Sequence, residues 1–201
     1  MKSLHRPDLY SWSTFDEARN VDFHGVCWAR ADGNILVDPL PLTPHDRAHL
    51  ERLGGAAWIV ITNSDHTRAA QEIAAWTGAK IAGPAAERDT FPFPCDRWLA
   101  EGDEVVPGLV VKTLDGAKTP GELALILEET TLLTGDLVRA HTAGALMILP
   151  DPKLVDKPAA IASVRRLAAI PTIQTVIVGD GWPLFGNGGD ALRALATRLG
   201  E

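Results

Sequence analysis

The chain has 201 residues, 46% of them hydrophobic and 22% charged, and a formal net charge of −7. That length holds one domain with a sizeable core, taken as residues 1–201. With no basic run and no alternation of basic and aromatic residues, the acidic balance excludes a nucleic-acid groove.

The N-terminal MKSLHRPDLYSW carries no apolar stretch of leader length, and no apolar run approaches the roughly 20 residues of a membrane helix. Cys27 and Cys95 form no CxxC or CxxxC pair and read as reduced and buried. The chain is expected in the cytoplasm, with neither nucleic acid nor membrane as a partner.

Residues 9–13 and 21–30 read as strands. Asp32-Gly33 makes a hairpin turn into a returning strand at 34–38, and Pro39 and Pro41 stop further pairing. Thr43-Pro44-His45-Asp46 starts a helix, with Thr43 as N-cap, which ends at Gly54-Gly55. The continuous apolar run at 57–62 suits a strand buried on both faces. A helix over 67–77 and a short parallel strand at 80–82 complete a βαβ unit. Residues 83–98, broken by Pro84, Pro92 and Pro94, are expected as short helix and loop. Strands follow near 104–106, 109–114, 122–128 and 131–134. Asp156 caps a helix over 158–169, the strand 175–178 opens onto Gly179-Asp180-Gly181, and a last helix covers about 189–199. Two β-rich halves, each flanked by helices, predict an α+β fold: a four-layer αββα sandwich of two mixed sheets. Its strand-end loops converge on one edge, where the site is expected.

Two stretches carry the chemistry. Residues 116–136 read GAKTPGELALILEETTLLTGD, and residues 60–68 read Val-Ile-Thr-Asn-Ser-Asp-His-Thr-Arg at the end of a buried strand. The first resembles the G-H-T-P-G-H motif and the following strand ending in G-D of the metallo-β-lactamase-like hydrolase superfamily. The second resembles its T-H-x-H-x-D-H motif. Aligned on Thr62, the superfamily's ligand positions fall on Asn63, Asp65, Thr67 and Arg68. A competing register matches Asp65-His66 to the D-H pair and places Ile61 and Asn63 at the first two positions. The two histidines of the later motif become Lys118 and Glu122, the bridging aspartate matches at Asp136, and the last histidine becomes Asp180. Leu36-Val-Asp38-Pro39 is similar to the superfamily's D-T-G turn, so the resemblance runs from about residue 21 to 195. It implies the αββα fold, hydrolysis and a metal centre.

The residues present alter that centre. The ligand set Asn63, Asp65, Glu122, Asp136 and Asp180 offers only oxygen, which favours Mg²⁺, Mn²⁺ or Ca²⁺ over Zn²⁺. Arg68 cannot ligate, because its guanidinium stays protonated. Four carboxylates against Arg68 and Lys118 leave −2, which admits one divalent cation or proton uptake and no metal.

Asp65, His66 and Asp136 are the catalytic candidates. His66 is either a general base or a structural residue in a helical first turn, bonding outward. The contiguous Ser64-Asp65-His66 cannot align as a triad. Arg68, Lys118 and Trp182 are the substrate-binding candidates, Trp182 standing either on a pocket wall or partly in the core. His141, in a loop with Arg139, either reaches the site mouth or is a solvated loop residue, and His24, on an early strand, either points inward or is a satisfied sheet histidine. Two functions fit: a hydrolase of an ester, thioester or phosphoester with one metal or none, and a catalytically silent relative that binds a small anion or acts as an interaction module. The expected partner is a small acidic or ester-type molecule. The only indication of a homo-oligomer is the general tendency of such domains to self-associate.

Overall fold

Side chains alternate in direction along the strands, and the central strands are buried on both faces, which divides the molecule into layers. A computed structural model describes residues 1–200. Seven strands lie side by side in chain order: β1 (Lys2–Ser3), β2 (Leu9–Asp16), β3 (Val21–Trp28), β4 (Ile35–Val37), β5 (Trp58–Val60), β6 (Lys80–Pro84) and β7 (Arg97–Leu99). The first four pair antiparallel. The last four pair parallel, because α1 (Pro44–Arg52) and α2 (Ala70–Thr77) carry the chain back across the sheet. The second sheet is built from β8 (Leu109–Thr113), β9 (Leu123–Leu127), β10 (Thr131–Thr134) and β13 (Thr175–Ile177), in the order β13-β10-β9-β8. Between β10 and β13 the chain adds a hairpin, β11 (Val138–Thr142) with β12 (Ala145–Ile148), and helix α3 (Lys157–Ala168). Helix α4 (Gly188–Arg198) closes the chain.

The two-residue period of a strand assigns each side chain to a layer. Ile35, Val37 and Val60 face Leu123, Leu125 and Leu127 in the core between the sheets. Leu36, Ile59 and Ile61 point the other way and pack with Leu50 of α1 and Ile73 of α2. Ala124, Ile126 and Leu132 meet Val164 and Leu167 of α3 and Leu192 and Leu195 of α4. This is the αββα sandwich expected from the sequence. Thr43 caps α1 by accepting the Asp46 N–H at 3.1 Å, and Asp156 caps α3 by accepting the Ala159 N–H at 3.0 Å.

Several elements differ from expectation. The hairpin β11–β12 is not legible in its sequence. Arg97–Leu99 is a strand, because the prolines end before it and its backbone pairs with Ala82–Pro84. Residues 104–106 contribute only one isolated bridge, Glu104 with Val110. The helix expected from residue 67 begins at Ala70, because Arg68 has φ 37° and interrupts the helical backbone after a 3₁₀ turn at Ser64–His66. Among the described residues no helix is long and apolar enough to cross a membrane.

The sheets are stitched together at one edge. The Leu123 N–H donates to the Thr62 carbonyl at 2.8 Å, and the His24 N–H donates to the Gly179 carbonyl at 2.9 Å. The loops leaving β4, β5, β10 and β13, and the loop entering β9, meet there.

Candidate functional site

The loops enclose a cleft of about 690 Å³. Val21, Phe23, Leu40 and Pro150 give it an apolar wall. Arg19, Arg68, Lys118, Arg139 and Lys153 line it with positive charge, against the carboxylates of Asp65, Asp136 and Asp180. In a chain of net charge −7 five cations thus face three carboxylates across the cleft, with Arg19 also paired to Asp16 outside it.

His66 is the centre of the buried part. Its Nδ1 lies 2.8 Å from Asp38 Oδ2, and its Nε2 lies 3.6 Å from Asp136 Oδ1, an ionic contact beyond hydrogen-bond length. Asp38 also accepts the Thr62 N–H at 2.8 Å and the Thr62 hydroxyl at 2.6 Å. Burial works against a charged imidazole, but Asp38 and Asp136 outweigh it and push the His66 pKa up to about 9. Each ring nitrogen faces a carboxylate, so the doubly protonated ring matches its surroundings. His66 is thus a buried cation at neutral pH, and neither an outward-bonding surface residue nor a free base. For Asp136, burial opposes ionisation, yet His66, then Arg139 and Lys118, hold its pKa well below the usual carboxylate range.

Arg139 joins two carboxylates from distant parts of the chain. Its Nη2 donates to Asp136 Oδ1 at 3.1 Å, and its Nη1 lies 3.2 Å from Asp180 Oδ2. Its Nε donates to the Asp136 carbonyl at 3.2 Å. His141 Nε2 reaches the same Asp180 oxygen at 2.9 Å. Of the two readings of His141, reaching the site mouth is the one that fits: β11 brings it exposed to the cleft against Asp180, and brings Arg139 there buried.

Arg68 has a different task from the one its charge suggested. Its Nη1 donates to the carbonyls of His24 at 2.7 Å and Asp38 at 3.0 Å, while its guanidinium lies 5.7 Å from the Phe23 ring centroid. Asp38 and Arg68 both have left-handed backbone, φ 46° and 37°, a conformation that costs an L-residue about 1–2 kcal/mol. Strain of this kind collects at functional sites. His24 bonds through Nε2 to the Gly181 carbonyl at 2.7 Å, a satisfied sheet histidine.

The other expected ligands are dispersed or occupied. Asn63 caps the 3₁₀ turn, its Oδ1 accepting the Asp65 N–H at 3.0 Å, and its Nδ2 is buried without a partner. Asp65 is ion-paired with Lys118 at the cleft mouth. Glu122 lies beneath the cleft and off its surface, with no exposed area. Its Oε1 accepts the Leu137 N–H at 2.7 Å, and its Oε2 has no partner. Burial, then the charge of Asp136, raises its pKa to about 8, so at neutral pH it keeps its proton. Trp182 stands 58% exposed and off the cleft lining, so it is neither pocket wall nor core.

These residues do not fit a zinc centre. Zinc is held by imidazole, thiolate or ionised carboxylate. Here Asn63 presents an amide, Arg68 a guanidinium and Glu122 a buried acid that keeps its proton, while the carboxylates of Asp65, Asp136 and Asp180 are already ion-paired, the first with Lys118 and the other two with Arg139. The carboxylates also have cationic neighbours: buried Asp38, Asp136 and Asp180 contact His66 or Arg139, and exposed Asp65 pairs with Lys118. Among the described residues no three His, Cys, Asp or Glu side chains converge as a ligand group. Sequence reasoning named Asp38 only within the turn resemblance and Arg139 only as a neighbour of His141, and gave neither a role in the site. The only signal for Arg139 was its spacing of three residues from Asp136.

Comparison with known proteins follows the geometry. A family model described as "Metallo-beta-lactamase superfamily" matches residues 1–199. A Hydroxyacylglutathione hydrolase from Fuscovulum blasticum is 34% identical over 170 residues, 79% of this chain and 61% of that protein. One of the same name from Rhodobacter capsulatus is 28% identical over 86% of this chain and 62% of its own length. The chain thus spans about three fifths of the length of these curated relatives. Among solved structures, a metallo-beta-lactamase from Pontibacter korlensis superposes with a TM-score of 0.76 at 16% identity, covering 99% of this chain and 98% of that one. A metallo-beta-lactamase from Hirschia baltica gives 0.71 at 15% identity, covering 95% and 92%. These structural likenesses speak to the fold.

Proposed function

This chain belongs to the metallo-β-lactamase superfamily, and we propose that it is a metal-independent member whose cleft recognises a small anionic molecule with an apolar part. The observation that carries this reading is the excess of positive charge in the cleft, five cationic side chains against three carboxylates, in a chain of net charge −7. A positive, partly apolar concavity concentrates anions and holds their hydrocarbon against the wall of Val21, Phe23, Leu40 and Pro150. The three expected bases support binding over hydrolysis. His66 already holds a proton, Asp136 is held ionised and weakly basic, and Asp65 is tied to Lys118. Neither one hard cation nor zinc is needed to balance the charges.

The test is metal analysis of the purified protein, with melting curves at low salt against Zn²⁺, Mn²⁺, Mg²⁺, inorganic phosphate and a small dicarboxylate. A ligand at a hundred times its dissociation constant stabilises by about 2.7 kcal/mol. Shifts with an anion alone, shrinking as salt rises, are expected. Stoichiometric metal in the purified protein, or a metal-dependent shift, would overturn the metal-free reading.

A second reading rests on the relatives named Hydroxyacylglutathione hydrolase: hydrolysis of an acyl thioester. Incubation with a hydroxyacyl-glutathione thioester, following thiol release with and without added metal, separates the two. Binding without turnover is expected, and sustained turnover would replace the first reading with the second.

A further inference from the structure

We propose that the free edge of Arg68 anchors the carboxylate of a small organic acid whose hydrocarbon lies against Phe23 and Leu40. The inference rests on the anion-recognising reading above and narrows it to one class of ligand and one cation. A guanidinium holds its N–H donors in one rigid plane. Nη1 of Arg68 uses both of its hydrogens on the carbonyls of His24 and Asp38, at 2.7 and 3.0 Å. Nε and Nη2 have no hydrogen-bond or ion-pair partner among the described residues, and neither is enclosed, so their edge opens on the cleft that Arg68 lines. That edge fits a carboxylate by two parallel bonds. Arg6 uses the same edge in this protein, donating from Nε and Nη2 to Asp8 at 3.0 and 2.6 Å.

The other cleft cations are differently placed. Arg139 is divided between Asp136 and Asp180, Lys118 is paired with Asp65, and Arg19 with Asp16. Lys153 is exposed, and an ammonium has no planar fork. Arg68 is half-buried and held by its two carbonyls on a left-handed backbone, φ 37°, so little order is lost when it takes a ligand. The surroundings choose the ligand. The Phe23 ring centroid lies 5.7 Å from the Arg68 guanidinium and 5.6 Å from that of Arg19, and Val21 and Leu40 continue the apolar surface. Asp38, Asp136 and Asp180 act on Arg68 through space, so a second negative charge on the ligand would be repelled. A monocarboxylate with an aromatic or short alkyl body therefore fits this spot better than a phosphate.

The test titrates the protein at low salt with benzoate, with its neutral isostere benzamide and with inorganic phosphate, and reads affinity and stoichiometry by calorimetry. Wild type is expected to bind one benzoate per chain, at least about tenfold tighter than benzamide or phosphate, the worth of one charge-assisted hydrogen bond. Arg68→Lys keeps the charge and loses the fork, and should weaken benzoate by at least about tenfold. A structure of wild type crystallised with benzoate covers the case in which Arg68→Lys does not fold. A carboxylate on Nε and Nη2 of Arg68 supports the inference, and one on Lys153 or any other group overturns it. Benzamide or phosphate binding as tightly as benzoate, or benzoate affinity unchanged in Arg68→Lys, overturns it as well. The anion-recognising reading is judged separately, by whether benzoate, phosphate or a small dicarboxylate binds at all, and falls if none does.

Discussion

Replacing Glu122 with Gln tests whether the old ligand position is a protonated acid. In the fold its pKa is raised from 4.5 to about 8, by burial first and by Asp136 second. Below pH 4.5 the carboxyl is protonated both folded and unfolded, so it contributes no pH dependence. From pH 4.5 to about 8 the unfolded chain ionises and the folded one does not, so stability falls as pH rises. Each pH unit costs about 1.4 kcal/mol, which gives about 3 kcal/mol by pH 7 and about 5 above pH 8. Glutamine retains the acceptor for the Leu137 N–H and removes the titration. Urea melts of both proteins at pH 5, 7 and 9 are expected to show near-equal stability at pH 5. Glu122→Gln should then gain by about those amounts at pH 7 and 9. A difference independent of pH, or a Gln protein less stable at pH 9, would refute the reasoning and show Glu122 ionised beside a cation.

His66→Gln should behave in the opposite sense. Because the His66 pKa is raised to about 9, its stabilisation is complete below pH 6.5 and is lost as pH rises through 9. Removing it should cost about 3–5 kcal/mol at pH 6 and much less at pH 10, and an equal cost at both would discount the imidazolium. Gly181→Ala should destabilise by at least about 1–3 kcal/mol, because φ is +96° and the new methyl would lie 2.1 Å from the Ala140 carbonyl oxygen. Gly144→Ala, with φ +80° and open space around it, should cost only the backbone term of about 1 kcal/mol; equal melting losses would contradict the packing argument. Burial pushes the Cys27 and Cys95 thiols up to about 12 and about 11. An aromatic disulfide reagent at pH 8 should therefore react slowly with native protein and rapidly with two thiols after unfolding, and a fast native thiol would refute this.

The fold was legible where physics is local. The continuous apolar runs at Leu123–Leu127 and 57–62 name strands with two buried faces, and the prolines after Asp38 mark where pairing stops. The site was legible only as a meeting of loops. Arg139 declares its role through Asp180, which lies 41 residues away and on a different strand end. Arg68 was expected to grip carboxylates, but its left-handed backbone turns it onto two carbonyls. Trp182 points to solvent because the backbone at Gly181-Trp182 pairs with Asp22 and Ala140, a register set by tertiary contact. The hairpin β11–β12 lacks a clean two-residue alternation, since its register shifts between Arg139 and Thr142.

The residues at the superfamily's ligand positions have exchanged partners as a group. Asp65 without Lys118 would be one more negative charge at a crowded mouth, and Lys118 without Asp65 would have no partner there; both stand where the resemblance places histidines. Asp136 and Asp180 without Arg139 would be two buried carboxylates needing an outside cation, and Asp38 without His66 would be a third. Random loss of ligands leaves unpaired buried charge, and each such charge costs several kcal/mol. Here Asp38, Asp65, Asp136 and Asp180 each contact a cationic side chain, and the one acid left without a cation, Glu122, keeps its own proton. Charges balanced in this way fit the proposed metal-independent reading, in which the cleft's cations are left to meet an anion.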